Sequence, residues 1–101
     1  MNDFIYQYDY VAIARDLVLK YIDTSQFKVF LFGSRACGNA RFNSDIDIGI
    51  LGQNRLTIQQ KIALEEALEE SIIPFKVDIV DFTLVDENFK KYALRKIVEW
   101  S

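Results

Sequence analysis

The spacing of hydrophobic and polar residues near the start of the chain predicts a helix followed by a strand. Apolar side chains recur three and four positions apart over residues 10–22, which is typical of an amphipathic helix. The positions with this spacing are Val11, Ile13, Ala14, Leu17, Val18 and Tyr21. Residues 28–32 then form a continuous apolar run that ends at Gly33, as expected of a strand buried on both faces.

The middle of the chain changes to a period of two. Residues 33–44 are polar and include Gly33 and Gly38, so a turn with one short helical piece is expected there. Over residues 45–51 the isoleucines at positions 46, 48 and 50 alternate with Asp45, Asp47 and Gly49. Because successive side chains of a strand point to opposite faces, this segment predicts a strand with one face in the core.

The rest of the chain predicts a helix, a strand and a closing helix. Residues 56–71 are rich in strong helix formers, and Ile58, Ile62 and Leu68 are expected along the buried side. Pro74 ends this helix, since proline restricts the residue before it. Residues 75–82 predict a third strand and residues 88–100 a last helix. The inward positions expected of that last helix are Phe89, Tyr92, Ala93, Ile97 and Trp100.

The order of these elements indicates an α/β (α+β) fold, with helices packed against a small mixed β-sheet. The sequence has 101 residues, half of them hydrophobic, which is enough for one core. No repeat or linker interrupts it, so residues 1–101 are expected to form a single domain. A chain of this size buries a modest fraction of its surface, and a ligand or partner is expected to add stability.

Charge and composition exclude several classes of function. The net charge of −3 and pI of about 4.8 provide no broad basic surface for a long nucleic acid. Histidine is absent, which excludes histidine-ligated zinc and histidine acid–base catalysis. Cys37 is the only cysteine, so no disulfide can form within the chain. The sequence shows neither a signal peptide nor a membrane span, and we expect a cytoplasmic protein.

The first candidate for chemistry is the Gly33-Ser34 turn after the buried strand. Glycine permits a tight turn in which backbone N–H groups face a ligand, and the Ser34 hydroxyl adds a donor. A short helical turn near Arg35 would point further N–H groups to the same place, which suits phosphate oxygens. Taken alone, Gly-Ser after a strand is weak evidence and more often marks an ordinary strand end.

Three aspartates strengthen the case for a phosphate-binding enzyme. Asp45 and Asp47 leave the same face of one strand, about 6.6 Å apart along the backbone. Carboxylates at this spacing can converge on a hard divalent ion, although charges also protect a solvent-facing strand edge. Asp78, between apolar residues of the third strand, can complete a cluster for two Mg²⁺ ions about 3.5–4 Å apart. Asp81 competes with it, but it faces the opposite way near the strand end, where a solvated acid is ordinary.

Residues 33–48 resemble the signature of the DNA polymerase beta-like nucleotidyltransferase superfamily. That signature is Gly-Ser, a spacer and Asp-x-Asp, with a third acid between hydrophobic residues on a later strand. The inner pattern, including Ser44 before Asp45, is similar to the minimal nucleotidyltransferases of bacteria and archaea. The resemblance covers roughly residues 28–82.

The resemblance implies roles for individual residues. Gly33 and Ser34 would hold the triphosphate of ATP, the nucleotide substrate, and Arg35 and Ser44 belong to the same nucleotide-binding segment. The acids would be the catalytic and metal-binding residues: Asp45 and Asp47 would bind both Mg²⁺ ions, while Asp78 would bind the second and help the acceptor hydroxyl lose its proton. Cys37 departs from the pattern, because relatives commonly have a basic residue there. Arg35 and Arg41 could replace it, since arginine grips phosphate with two parallel bonds.

The resemblance also implies a partner. Minimal members often act as the antitoxin of a small helical HEPN protein, in some cases by adding AMP to a tyrosine of that toxin. Two other hypotheses remain: a binding module that neutralises a helical partner by covering it, and an enzyme that modifies a small molecule. A homo-oligomer or hetero-oligomer is expected in either of the partner-dependent cases.

Aromatic residues at both ends of the chain bear on the partner. Phe4, Tyr6 and Tyr8 alternate along a terminal segment with little else to pack against, which predicts an exposed patch. Tyrosine anchors many protein interfaces, so this patch is expected to bind a helical partner or a second copy. Tyr92 and Trp100 are instead expected to close the core.

Overall fold

The computed structural model describes residues 8–41 and 43–101. The described chain forms four helices, α1 (Tyr10–Tyr21), α2 (Ser34–Cys37), α3 (Ile58–Glu69) and α4 (Glu87–Ala93). Its four strands are β1 (Phe27–Phe32), β2 (Ile46–Gly52), β3 (Val77–Asp81) and β4 (Val98–Glu99). The strand order is β3-β2-β1-β4, with β2 and β3 parallel and the other two pairs antiparallel. The predicted α+β fold with a mixed sheet is therefore confirmed.

The first face of the sheet carries the larger core. Val29 of β1 and the three isoleucines of β2 are fully buried there, as their alternation predicts. Helices α1 and α3 cover this face and contact each other. The buried helix residues are Tyr10, Ala14, Val18, Leu64 and Leu68.

The second face of the sheet is also covered, which corrects the prediction that only one face of β2 lies in the core. Phe30, Phe32 and Phe82 form a cluster there, and the Phe82 ring centroid lies 5.0 and 5.1 Å from those of Phe30 and Phe32. Gly49 is buried beneath Phe30, where a Cβ atom would overlap the ring. Gly49 therefore stands in the alternating pattern of β2 because the ring of Phe30 needs the space that a larger side chain would fill.

Helix α3 buries Leu68 as predicted, but Ile58 and Ile62, the other two predicted inward positions, are exposed. Thr57 caps its start in a capping box with Gln60, and Leu64 and Leu68 face the core. Ile58 and Ile62 are 75% and 49% exposed. At 3.6 residues per turn, Ile62 lies about 120° around the helix from Leu68, so the two cannot share one narrow face.

The last predicted helix is too long, because residues after α4 add a short strand to the sheet. Glu99 and Val98 pair with Phe30 and Leu31 of β1, and the Trp100 N–H donates to the Val29 carbonyl at 2.9 Å. Pairing with the open side of β1 satisfies backbone groups that a continued helix would leave without strand partners. Trp100 packs against the first core as predicted.

The other inward positions predicted for that helix have different outcomes. Ala93 and Ile97 pack against the phenylalanine cluster of the second face. Phe89 also contacts that cluster, although it is partly exposed. Tyr92 is 72% exposed, so the prediction that it closes the core is wrong.

Asp81 is a buried structural residue, contrary to the expectation of a solvated acid. Only 7% of it is exposed, and its carboxylate accepts hydrogen bonds from the Leu56 N–H at 2.8 Å and the Thr83 N–H at 3.0 Å. The Thr83 hydroxyl donates to it as well. Asp81 therefore joins the loop before α3 to the turn after β3.

The N-terminal aromatics are described only in part. Phe4 and Tyr6 lie outside the described residues, Tyr8 is exposed, and Tyr10 is buried against Phe75. In the part of the chain that the structure describes, no helix combines the length and apolar character needed to cross a membrane.

Candidate active site

Gly33 ends β1 in a conformation that other residues avoid. Its φ of 76° and ψ of −155° fall in a region that is essentially restricted to glycine. A Cβ atom there would also overlap the carboxylate of Asp47 and approach its Cγ to 3.2 Å. Glycine is therefore required both by the backbone and by the acid that lies against it.

Helix α2 is the short helical piece predicted after the turn. The Gly33 carbonyl accepts hydrogen bonds from the N–H groups of Ala36 and Cys37, each at 3.1 Å. The helix ends at Cys37 and is capped by Gly38, whose φ of 78° is left-handed. Ser34 begins this single turn and is exposed, so its hydroxyl is accessible beside Gly33.

Arg35 and Ser44 bind each other and fix the loop between α2 and β2. The Arg35 guanidinium donates from Nε and Nη2 to the Ser44 carbonyl at 3.1 and 2.7 Å, and it stacks 5.4 Å over the Phe75 ring. The Ser44 hydroxyl accepts a bond from the Arg41 N–H at 2.9 Å. These contacts give Arg35 a structural role, and nucleotide binding by Arg35 and Ser44 stays a prediction.

The strand register brings two of the three predicted acids together. Asp47 of β2 is directly opposite Asp78 of the parallel strand β3, and on its other side it is opposite Phe32 of β1. All three belong to the second face of the sheet. Asp45 precedes β2 and is exposed to solvent. The acid pair of Asp47 and Asp78 thus lies immediately beside the Gly33 turn.

The environment of Asp47 disfavours its charged form. Burial is the largest cause that raises the pKa of this carboxyl, followed by the negative charges of Asp78 and Asp45. The positive charges of Lys76 and Arg35 act in the opposite direction and do not overcome them. A group that stays this close to another carboxylate is stabilised by any added cation.

Lys76 is a site residue that the sequence reasoning missed. Its Nζ lies 3.5 Å from Oδ1 of Asp78, and both side chains are partly exposed. Lysine two positions before an aspartate on a strand shares its face, so the alternation itself contained this signal. The ammonium occupies one side of the acid pair as a positive counter-charge.

Comparison with known proteins agrees with this arrangement. A model of the family described as Polymerase beta, Nucleotidyltransferase matches residues 21–98, which contain the Gly33 turn and all three acids. The chain belongs to this nucleotidyltransferase family. The resemblance inferred from residues 33–48 is therefore confirmed.

Individual relatives are similar over most of the chain. A Haemophilus influenzae protein described as a probable protein adenylyltransferase, MntA, is 35% identical over 71 residues, or 70% of this chain; the chain spans only 61% of its length. A solved structure provisionally assigned as a minimal nucleotidyltransferase is 28% identical and has a TM-score of 0.68, with 88% and 91% of the two chains covered. A complex of a tri-AMPylated HEPN toxin from Shewanella oneidensis with an MNT antitoxin has a TM-score of 0.63 at 18% identity, covering 90% of this chain and 71% of the other.

Asp47 and Asp78 have the chemistry and the placement to bind a divalent cation. The side chains of the three predicted acids, however, do not converge on one point. Carboxylate oxygens are the ligands that Mg²⁺ prefers, and Asp47 and Asp78 are already neighbours. As placed, the side chains of residues 8–41 and 43–101 form no group of three or more that could hold a metal ion. Asp45 would complete the set by turning its exposed side chain toward the pair.

Proposed function

We propose that this chain is an adenylyltransferase that moves AMP from ATP onto a tyrosine hydroxyl of a HEPN toxin and thereby acts as its antitoxin. The observation that carries the proposal is the acid pair of Asp47 and Asp78 beside the glycine turn at Gly33. A simple binding protein has no need of this acid pair. The similarity to MntA and to the antitoxin of an AMPylated HEPN toxin supports the choice of nucleotide and acceptor.

In the proposed reaction the chain positions two reactants. Gly33 and Ser34 hold the triphosphate so that its α-phosphorus lies near the acid pair. The acceptor oxygen forms a bond to this phosphorus while the bond to the β-phosphate oxygen breaks, and pyrophosphate leaves. The hydroxyl proton passes toward Asp78, whose carboxylate can accept it. Holding the reactants in line supplies much of the rate enhancement in phosphoryl-type transfers.

Asp45, Asp47 and Asp78 would hold the divalent metal. Their carboxylate chemistry favours Mg²⁺, and the family resemblance implies two ions. Bound metal neutralises charge on the phosphates and activates the attacking hydroxyl. Lys76 would then release Asp78 or remain as an additional cation at the edge of the site. The protein is proposed to work in the cytoplasm, where ATP is available.

The test is transfer of label from α-labelled ATP to a purified HEPN protein in the presence of Mg²⁺. We expect label on a tyrosine of the partner, and we expect Asp47→Asn to abolish it while circular dichroism stays unchanged. Lys20→Gln, a charge change on α1 away from the acids, is the matched control and should transfer normally.

The alternative is a binding module that neutralises a helical partner by covering it. The same experiment separates the two, because a binder would neutralise the toxin equally well with Asp47→Asn and without ATP. Toxin inhibition with no incorporated label would therefore replace the enzyme proposal with the binding module.

A further inference from the structure

A cavity of about 530 Å³ opens beside the glycine turn, on the second face of the sheet. One wall contains Gly33, Ser34 and Cys37, and the opposite wall comes from α4 and the turn that follows it. The volume lies within the range of about 300–1,000 Å³ that is usual for ligand pockets. The cavity therefore extends the nucleotide site away from the acid pair.

Two cations belong to the opposite wall. Arg95 and Lys96 line the cavity and are exposed, and neither forms an ion pair or side-chain hydrogen bond within residues 8–41 and 43–101. Arg35 and Lys76, the other cations around the turn, already contact the Ser44 carbonyl and the Asp78 carboxylate. An anion in the cavity would thus meet two cations that need no release from another partner.

The turn that carries these cations is held at both of its ends. Leu94 and Ile97 pack against the phenylalanine cluster of the second face, and Val98 continues into β4 beside β1. Arg95 and Lys96 lie between these anchors. Their backbone is therefore fixed relative to Gly33, while their side chains extend from a short turn.

Aromatic rings complete the cavity on the side of α4. Phe32 and Phe89 line it with their ring centroids 6.4 Å apart, and Tyr92, which is 72% exposed, lines it as well. A flat ring beside two cations suits a ligand that has both a planar base and a chain of phosphates. Phosphate alone would make no use of the rings.

We propose that α4 and the turn after it form the second wall of the ATP site, in which Arg95 and Lys96 bind the β- and γ-phosphates and Tyr92 stacks on the base. This inference rests on the proposed function, because it assigns residues to the same nucleotide. The charge distribution favours such a wall. A chain of net charge −3 has no general positive field, so phosphates that lie beyond the metal held by the acids gain from local cations such as Arg95 and Lys96.

Equilibrium binding of ATP and of inorganic tripolyphosphate to the full chain, at fixed Mg²⁺, tests each part separately. The double variant Arg95→Gln, Lys96→Gln should weaken both ligands about tenfold or more, since each lost bond joins charged groups. Tyr92→Ser should weaken ATP about fivefold to tenfold and leave tripolyphosphate within about twofold, because only ATP has a base to stack.

The controls change the same residue types outside the cavity. Lys91→Gln removes a charge from the position before Tyr92 in α4. Tyr21→Ser removes an exposed tyrosine from α1. Both should bind the two ligands as the unmodified chain does. Alkylation of the exposed Cys37 gives a second readout: ATP should slow it in the unmodified chain and protect it far less in the double variant.

The outcomes separate the two proposals. Normal binding of both ligands by all the variants, with AMP transfer intact, would overturn the second wall and leave the proposed function standing. Weakened binding in the variants of a chain that transfers no AMP would support the wall and overturn the enzyme. Failure of the unmodified chain to bind ATP would overturn both.

Discussion

At Gly33 the chain leaves β1 with a backbone conformation available to glycine, and the carboxylate of Asp47 fills the space that a side chain would need. Gly38, five residues later, also has a positive φ but nothing within 4 Å of its missing Cβ. Gly33 thus combines a conformation essentially restricted to glycine with a collision, whereas Gly38 has only a left-handed conformation.

We expect Gly33→Ala to destabilise the protein by about 2–3 kcal/mol and Gly38→Ala by about 1 kcal/mol. Gly33→Ala forces alanine into a conformation essentially restricted to glycine and adds an overlap with Asp47, whereas Gly38→Ala adds only the cost of the left-handed conformation. Urea unfolding of the two variants measures the difference. Equal losses would show that neither the backbone at Gly33 nor the side chain of Asp47 resists a Cβ atom more than the left-handed Gly38 does.

Asp47→Asn should stabilise the metal-free protein at neutral pH while it removes activity. The folded state raises the pKa of Asp47, so folding favours the protonated form. The resulting loss of folding free energy is absent below pH 3.8. It grows as the pH rises from 3.8 through the raised pKa of the folded state, and it is complete above that pKa. Asparagine has no such penalty, but it cannot replace a metal-binding carboxylate, so transfer should fall by about a hundredfold or more.

Thermal melts at pH 7 without metal, paired with transfer assays, test this opposition between stability and activity. Asp45→Asn is the comparison variant: it removes the smallest of the three causes that raise the pKa of Asp47, so it should raise the melting temperature by less than Asp47→Asn while transfer still falls. A lower melting temperature for Asp47→Asn would contradict the electrostatic account.

At the residue scale, the sequence could predict most of the candidate site because the site depends on strand alternation. Gly33, Asp47 and Asp78 follow from two strands and one turn, and the parallel register then places the acids opposite each other. Arg95 and Lys96 could not be predicted, because their position depends on a helix that ends at Ala93 instead of continuing.

At the scale of elements, α3 shows where periodicity alone misleads. Its exposed face contains Ile58 and Ile62, and the face toward the sheet contains Leu64 and Leu68. Both stripes are apolar, so hydrophobicity cannot decide between them; contact with α1 and β3 does. Strand β2 presented less ambiguity, because its three isoleucines all lie on one face, while Asp47, Gly49 and Leu51 lie on the other.

We expect Leu64→Ala to cost about 2–5 kcal/mol in unfolding free energy and Ile62→Gln to change it by less than about 0.5 kcal/mol. The first creates a cavity in the core, while the second alters a side chain that is half in water. Denaturant unfolding of both variants would check the orientation of α3. A large loss for Ile62→Gln would mean that its exposed face is buried by another molecule in solution.

The length of α4 is the other error at this scale. Residues 88–100 have a helical spacing, but β1 has an open side that β4 fills. A strand of two residues has too little sequence to show alternation, so only the tertiary pairing reveals it.

At the scale of the whole molecule, the folded state contains repulsion that a ligand would remove. Saturating Mg²⁺ and ATP should raise the melting temperature, since a ligand at a hundred times its dissociation constant adds about 2.7 kcal/mol. Calorimetric melts with Mg²⁺ alone, ATP alone and both together would measure it. The double substitution of Asp47→Asn and Asp78→Asn is the control and should show little gain from Mg²⁺ alone. An unchanged melting temperature in the unmodified chain would count against the site.

The position of β3 has a consequence for how the protein loses activity on heating. In the described residues β3 pairs only with β2 and therefore lies at the margin of the sheet, and it carries Asp78. Edge strands open locally at a lower free-energy cost than central strands. The two acids can thus separate while β1 and β2 remain paired. The rate of AMP transfer should fall several degrees below the melting temperature and recover on cooling. Over the same temperature interval, amide hydrogen exchange in β3 should be faster than in β1. A loss of activity that coincides with global unfolding would show that the edge strand β3 is as stable as the central strands of the sheet.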